Sequence, residues 1–212
     1  MRRRYRLLID IGDSDRRELA AGAQSLVIAK QTGNGDPNVA WLAWVPAARN
    51  VITWDDSFGL YASELPASHG SVPQILDFVY PARDGAAYPF AGAQFASPHD
   101  RARIPHAHYA VSNAAPFTAT FGLVQSALLN GRLVCAALNA VALPPGLTAD
   151  FSPGAKLYVW TEGVLESGAV VSGVPARATV IDFDRASTAA HYRYDRRKRL
   201  VLRSSATSDK GG

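Results

Sequence analysis

Hydrophobic and polar residues alternate with a period of two along much of this chain, which is the pattern of half-buried β-strands. The clearest example begins at Phe117, where Phe117, Ala119, Phe121 and Leu123 alternate with two threonines and a glycine. Other short apolar runs recur along the chain and are separated by glycine, proline or charged turns. Together these runs predict about ten strands or more.

Little of the chain shows the period of an α-helix. Asp15 and Glu18 have the spacing of a capping box, which predicts a short helix from Arg16 to Ala21 that ends at Gly22. Many short strands with almost no helix favour two packed antiparallel sheets over a closed barrel. We therefore predict an all-β fold, namely a two-sheet β-sandwich of Greek-key or jelly-roll type with one short N-terminal helix.

The segment from Asn38 to Ser63 holds three of the four tryptophans and is predicted to be the centre of the fold. Its first part, Val39 to Val45, is apolar on both alternating faces, as in a strand that is covered on both sides. Trp41 and Trp44 should point to opposite faces of this strand, and both should be buried. The rest of the segment is predicted to be a tight hairpin with its turn at Asp55 to Ser57.

A second hairpin is predicted at Asn130-Gly131, which lies between two apolar runs. This dipeptide favours the positive φ angles of a two-residue turn, so Val124 to Leu129 should pair with Arg132 to Leu138. A helix at Gln125 to Leu129 is the lesser alternative. Cys135 lies in the second run and is predicted to be buried as a small hydrophobic residue. Because it is the only cysteine, an intrachain disulfide and a Cys-based zinc site are excluded.

Prolines recur at intervals of about eight residues between Glu64 and Pro105. This part is predicted to be an excursion over the surface with short strands of its own, at 72–80 and 88–95. No change of composition marks a domain boundary. Residues 1–212 are therefore predicted to form a single β-sandwich domain, with a Pro-rich excursion at 64–105.

The composition, with 48% hydrophobic and 19% charged residues, is that of a globular protein. Ten of the 22 lysines and arginines lie near the two ends, in 2–6 and 193–203. If the terminal strands pair, these residues form one basic patch, which is expected to keep the edge strands soluble. Nucleic acid is not an expected partner, because no nucleic-acid-binding motif accompanies the charge.

No stretch of the sequence approaches the roughly 18 apolar residues of a membrane span. The basic start is followed by an apolar run that is too short for a signal peptide. A cytoplasmic location is therefore the expectation.

One region combines an aromatic ring with carboxylates and amides, which are the groups that bind sugars through ring stacking and hydroxyl hydrogen bonds. Trp54 supplies the ring and the turn beside it supplies the first carboxylates, while a preceding loop adds further oxygens. The predicted ligand-binding site, for a carbohydrate or another small ligand, has six members: Trp54, Asp55, Asp56, Tyr61, Asn34 and Asp36.

His106 and His108 are predicted to lie on one face of a strand. This spacing can hold zinc, iron or copper if a third ligand comes from elsewhere. The glutamate that follows such a pair in cupin-type jelly rolls is missing, since residues 109–116 contain no acid. No metal or other cofactor is therefore predicted.

The sequence favours a non-catalytic binding protein with lectin-like recognition of a carbohydrate or another small ligand. No catalytic residue is predicted, because no catalytic triad, spaced carboxylate pair or phosphate-binding loop is recognised. A self-associating structural or protein-interaction β-sandwich is the first alternative, and self-association into a homo-oligomer is expected from the apolar faces of 39–45. A metal-dependent enzyme that uses the His106/His108 pair is the second alternative.

Overall fold

A computed structural model of the protein describes residues 3–33, 35–64, 68–100, 104–183, 187–195 and 200–203. These ranges contain twenty strands and one helix, which confirms the predicted all-β class. The sheets are mostly antiparallel, and none that the described residues form closes on itself. The finer type, a two-sheet sandwich with Greek-key or jelly-roll connections, stays a prediction.

The elements are short, and most strands have between two and seven residues. They follow one another in this order: β1 (Arg4–Asp10), α1 (Asp13–Ala21), β2 (Ser25–Thr32), β3 (Val39–Ala40), β4 (Leu42–Trp44), β5 (Arg49–Asp55), β6 (Gly59–Ser63), β7 (Ile75–Val79), β8 (Ala86–Ala91), β9 (Gln94–Phe95), β10 (His99–Asp100), β11 (Tyr109–Asn113), β12 (Ala119–Leu129), β13 (Arg132–Ala137), β14 (Val141–Leu143), β15 (Thr148–Phe151), β16 (Pro153–Glu162), β17 (Ala169–Val170), β18 (Thr179–Asp182), β19 (Ala189–Asp195) and β20 (Leu200–Arg203).

The described strands form four sheets. The largest has nine strands in the order β20-β19-β1-β5-β12-β6-β7, with β13 and β14 also paired to β12. A five-stranded sheet has the order β10-β8-β11-β15 with β9 paired to β8, a four-stranded sheet has the order β18-β16-β2-β4, and β17 pairs with β3. The predicted excursion does contain short strands, β7 to β10. Of these, β7 belongs to the nine-stranded sheet, and β8, β9 and β10 belong to the five-stranded sheet.

The first strand and the last two strands of the described residues lie together in the largest sheet, because β1 pairs with β19 and β19 pairs with β20. The pairing that a common basic patch requires is therefore present. Residues 196–199, which hold four of the basic side chains, lie outside the described residues. The patch itself stays a prediction.

The Asn130-Gly131 hairpin is confirmed. Both residues have positive φ, at 50° and 83°, and β12 pairs with β13 in the predicted register. The prediction that Cys135 is buried is wrong, because its side chain is exposed. Cys135 shares the outer face of β13 with Leu133, which is 68% exposed, whereas Ala136 is turned inward and buried.

The hairpin predicted around Asp55 to Ser57 is wrong. β5 and β6 both run antiparallel to β12, so they run in the same direction and do not pair as a hairpin. Trp54 faces Ala127, and five residues later Gly59 faces Val124, only three residues away on β12. Two extra residues therefore bulge out between β5 and β6. Bulges of this kind redirect side chains at the edge of a sheet.

The strand predicted at 39–45 is split at Trp41 into β3 and β4, which belong to different sheets. Trp41 is fully buried, and its indole N–H donates to the backbone oxygen of Gln125 at 3.1 Å. Trp44 is half-buried and donates its N–H to Asn50 Oδ1 at 2.8 Å. Both indoles pack against the same main core and not on opposite faces, because the chain bends between them.

The predicted N-terminal helix is present as α1, but it begins at Asp13 and not at Arg16. The N-cap is Gly12, so the helix begins before the predicted cap at Asp15. No side chain caps it. Its end at Gly22 is as predicted. No helix within the described residues is long and apolar enough to cross a membrane.

One main core is shared by the three larger sheets. Tyr5, Leu7 and Ile9 face it from β1, as the alternation in that strand indicates. Ile28 enters it from the four-stranded sheet, and Phe90 enters it from the five-stranded sheet. The place where these three sheets meet is therefore lined mostly by apolar side chains.

Candidate ligand-binding cleft

A cleft of about 810 Å³ opens where the three larger sheets meet. This volume is within the range of small-molecule sites, roughly 300 to 1,000 Å³. Each of the three sheets supplies part of the cleft wall. These parts come from β1 and β5 of the nine-stranded sheet, β2 and β16 of the four-stranded sheet, and β11 of the five-stranded sheet. Its aromatic and charged lining residues are Tyr5, Trp54, Phe58, Tyr109 and Phe183, with Arg3, Lys30, Asp56 and Asp84.

Lys30 is the buried charged residue of this cleft, with only 5% of its surface exposed. It follows Leu26 and Ile28 on the core-facing side of β2. Its Nζ lies 5.0 Å from the ring centre of Phe58 and 5.7 Å from that of Trp41, distances at which an ammonium is attracted to an aromatic ring. The amine therefore packs against the rings of Phe58 and Trp41.

Gln125 holds the Lys30 amine in place. The side chain of Gln125 is fully buried, and its Oε1 accepts a hydrogen bond from Lys30 Nζ at 3.0 Å. Its Nε2 donates to the backbone oxygen of Asp55 at 2.6 Å, which fixes the amide with its oxygen toward the lysine. The partner of the amine is therefore a neutral acceptor. The ion pairs found among the described residues do not include Lys30.

The buried position changes the protonation of Lys30. Loss of hydration lowers the pKa of its amine from 10.5 to about 7, and the negative charge of Asp56 opposes part of this shift. A lysine in water is almost fully protonated at neutral pH, whereas a group with a pKa near 7 is about half neutral there. The cleft therefore contains a nucleophilic amine at neutral pH.

The aromatic wall is built around Trp54, which is only 5% exposed. Tyr5 stacks against it with 5.4 Å between ring centres, and Phe183 meets it edge-on at 5.2 Å. Trp41 also meets it edge-on, at 5.7 Å. Because Trp54, Trp41 and Phe183 are all buried, the half-buried Tyr5 offers the most ring surface of this group to a ligand.

The bulge between β5 and β6 brings Asp56 and Ser57 to the cleft. Asp55 closes the bulge, since its Oδ1 accepts the backbone N–H of Ser57 at 2.9 Å. Asp56 is exposed, and its Oδ1 accepts the backbone N–H of Arg3 at 3.0 Å. The buried Ser57 Oγ has no hydrogen-bond partner among the described residues. The bulge thus places a carboxylate at the solvent side of the cleft.

A second carboxylate, that of Asp84, also lines the cleft and interacts electrostatically with Tyr109. Asp84 accepts the backbone N–H of Ala107 through Oδ1, and its Oδ2 lies 3.4 Å from His106 Nδ1. Burial, with smaller contributions from nearby groups, first among them Asp84, raises the pKa of the Tyr109 hydroxyl to about 12. The hydroxyl is therefore protonated at neutral pH and can donate a hydrogen bond.

Two of the predicted site residues, Trp54 and Asp56, line the cleft, and Asp55 supports the bulge beside them. Tyr61 does not reach it. Its ring is fully buried in a separate cluster, and its hydroxyl donates to the backbone oxygen of Asn139 at 2.9 Å. Its place in the predicted site is therefore corrected, because β6 turns this side chain away from the cleft.

The loop residues of the predicted site are not brought to the cleft either. Asp36 is exposed and is not among the lining residues. Asn34 lies outside the described residues.

Lys30 was missed in the sequence, although a signal for it exists. Leu26, Ile28 and Lys30 occupy alternate positions of one strand, so a lysine stands where the pattern requires an inward-facing residue. Gln125 stands in the same way between Leu123 and Ala127 in β12. Polar residues on an apolar strand face indicate a buried polar contact, and here the two positions contact each other.

The strand predicted for His106 and His108 is wrong. Residues 106 and 107 form a turn with positive φ at Ala107, and β11 begins only at Tyr109. The His106 side chain is fully exposed. Within the part of the chain that the structure describes, no group of three His, Cys, Asp or Glu residues is placed to hold a metal ion.

The fold and the cleft define an all-β protein with an aromatic cleft around a buried lysine. No family model, no curated protein and no solved structure matches the chain.

Proposed function

We propose that the protein is a non-catalytic binding protein that takes a small organic ligand into the cleft around Lys30. The observation that carries this proposal is the combination of an aromatic wall with one buried amine held by Gln125. Small-molecule sites have this character, since apolar walls supply most of the contact area and a few fixed polar groups orient the ligand.

The polar groups of the cleft define the chemistry of the ligand. Lys30 and the Tyr109 hydroxyl offer hydrogen-bond donors near the aromatic wall. A ligand with a planar ring and an oxygen acceptor fits this arrangement, with the ring against the half-buried Tyr5 and the oxygen toward Lys30. The cleft volume accommodates a molecule of one or two rings.

A carbohydrate is the second candidate ligand. Asp56 and Asp84 line the cleft, and their carboxylates can accept hydrogen bonds from sugar hydroxyls. A sugar ring would stack on the half-buried Tyr5, because Trp54 and Phe183 are both largely covered. This is the lectin-like function that the sequence favours.

The experiment compares two variants that place the same bulky side chain on neighbouring residues of β16. Ala155 lines the cleft, whereas the side chain of Lys156 is exposed and is not part of the lining. Binding of a panel of small ring compounds, with 4-methoxybenzyl alcohol as the first probe, is measured by tryptophan fluorescence, and sugars are tested on a glycan array. Ala155→Phe should weaken binding at least about tenfold, because phenylalanine fills the cleft, and Lys156→Phe should not.

Binding that is equal in the two variants would place the ligand elsewhere on the molecule. If no compound or glycan binds the unaltered protein, the proposal of a small-ligand site is wrong. Thermal denaturation of both variants controls for loss of the fold.

A further inference from the structure

The Lys30 amine lies inside the cleft beside a neutral partner. Gln125 Oε1 accepts one of its hydrogens at 3.0 Å, and the amine faces the rings of Phe58 and Trp41. The salt bridges of the described residues include other cationic side chains but not this one. A neutral amine satisfies this environment, because it can donate to Gln125 and still keep its lone pair toward the cleft.

Such an amine has the chemistry of a carbonyl-reactive lysine. A desolvated lysine in an apolar pocket is a nucleophile at neutral pH, because the protonated form that blocks its lone pair is disfavoured. Burial does lower the pKa of Lys30 to about 7, against the opposing charge of Asp56. The aromatic walls and the carboxyl groups of Asp56 and Asp84 add a place for a ring and groups that can transfer protons.

We propose that Lys30 captures an aromatic aldehyde in the cleft as a reversible imine. The inference rests on the proposed function, since the aldehyde must first bind in the cleft. It deepens that function by naming the ligand class and the bond that holds it.

The reaction needs no oxidant and no cofactor. The Nζ lone pair attacks the carbonyl carbon, a C–N bond forms, and the π electrons of the C=O bond move to the oxygen. A proton passes from nitrogen to oxygen to give a carbinolamine, and protonation of its hydroxyl lets water leave as the C=N bond forms. The nitrogen then releases its remaining proton, which balances the proton given to the hydroxyl. One aldehyde and one amine thus give one imine and one water. Solvent water can supply and accept these protons, and Asp56 and Asp84 are the carboxyl groups that line the cleft.

The chain offers an internal control, because it contains only four lysines: Lys30, Lys156, Lys198 and Lys210. Lys156 is exposed on β16, so it reports the reactivity of a lysine in water. Labelling of Lys30 and Lys156 can therefore be compared within the same molecule, without any substitution.

The experiment treats the full chain with 4-methoxybenzaldehyde at neutral pH, reduces the imine with cyanoborohydride, and locates the adducts by peptide mass spectrometry. Lys30 should be labelled at least about tenfold faster than Lys156. Lys30→Arg should abolish the fast adduct, and Lys156→Arg should leave it unchanged. Labelling of Lys30 that is no faster than that of Lys156 would overturn the proposal.

A pH series adds a second readout. The yield on Lys30 should rise through about pH 7, where its amine loses its proton, and the yield on the exposed Lys156 is measured in the same samples for comparison. The other charged or titratable groups of the cleft are Arg3, Tyr5, Asp56, Asp84 and Tyr109. A Lys30 profile that coincides with the Lys156 profile would count against the proposal.

A matched ligand separates this inference from the proposed function. 4-Methoxybenzyl alcohol has the same ring and no carbonyl, so it can bind the cleft but cannot form an imine. If the alcohol binds and Lys30 is not labelled, the imine is overturned and the cleft remains a binding site. If Lys30 is labelled quickly but Ala155→Phe does not slow the labelling, the aldehyde does not approach through the cleft and both proposals fail.

Discussion

Lys30 is an unusual residue to bury, because the ammonium group of a lysine loses its hydration when it enters an apolar core. The structure offsets this loss with one hydrogen bond to Gln125 and two aromatic rings. These contacts do not fully replace the hydration that the ammonium group loses, and none of them is an ion pair with a carboxylate. Burial in the folded protein therefore shifts Lys30 toward its neutral form, compared with a lysine in water.

The stability of the protein should therefore depend on pH through Lys30. The folded-state pKa of about 7 lies below the usual 10.5, so the unfolded chain binds more protons between these values. The free energy of unfolding should rise as the pH increases from about 7 towards 10, with a slope of up to about 1.4 kcal/mol per pH unit. Above pH 10 the raised pKa of Tyr109 acts in the opposite direction.

Urea denaturation at a series of pH values measures this slope. In Lys30→Met the rise between pH 7 and 10 should disappear, because the titrating amine is gone. Lys156→Met, which removes an exposed lysine from β16, should keep the slope. The same slope in Lys30→Met and in the unaltered protein would show that another group is responsible.

At the scale of elements, local chemistry decided what the sequence could predict. The β12–β13 hairpin follows from two adjacent residues, and the short helix follows from a few more. The connection from β5 to β6 was predicted wrongly, because its form depends on β12, which lies far along the chain and pairs with both strands. The residue types at 55–57 are typical of a turn, but they also fit a bulge in a strand that pairs with a long neighbour. The local sequence therefore does not distinguish the two.

Gly131→Val should destabilise the protein by about 1 kcal/mol or more, because Gly131 has φ of 83° and a β-branched side chain is strained there. No atom lies within 4 Å of an added Cβ at this position, so the cost comes from the backbone and not from a clash. Denaturation in urea measures it.

Gly163→Val is the matched control for that variant. An added Cβ at Gly163 also meets nothing within 4 Å, but the φ of Gly163 is not in the left-handed region. Its substitution should change the free energy of unfolding by less than about 0.5 kcal/mol. Equal effects of the two substitutions would contradict the assignment of the turn.

At the scale of the whole molecule, the cleft exists because three sheets share one core. Trp54 and Asp56 could be predicted from a local pattern of a ring beside an acidic turn. Tyr109 and Phe183 could not, since they come from distant strands and loops that only the tertiary fold brings together. Lys30 is the intermediate case. Its inward orientation could be predicted from the alternation in β2, but its contact with Gln125 could not, because the two residues are 95 positions apart.

Trp41 contacts β12, Trp54 and Lys30, which belong to different parts of the cleft and core. The residue is fully buried between β3 and β4, its N–H donates to the backbone of β12, and its ring contacts both Trp54 and the Lys30 amine. Trp41→Ala should therefore cost roughly 3 to 5 kcal/mol, because it leaves a cavity under the cleft and removes the hydrogen bond to the Gln125 backbone oxygen. Urea denaturation gives the value, and soluble yield gives a coarser measure if the variant does not fold.

Trp44→Ala is the comparison that tests this assignment. Trp44 is only half-buried, and Asn50 Oδ1, which accepts its N–H, also accepts the backbone N–H of Ala47 at 2.9 Å. Its loss leaves Asn50 with a partner and opens a cavity that water can enter, so the cost should be about 1 to 3 kcal/mol. If Trp44→Ala proves as costly as Trp41→Ala, the centre of the core lies at the β4 end of the segment, and Trp41 is not the residue that joins the sheets.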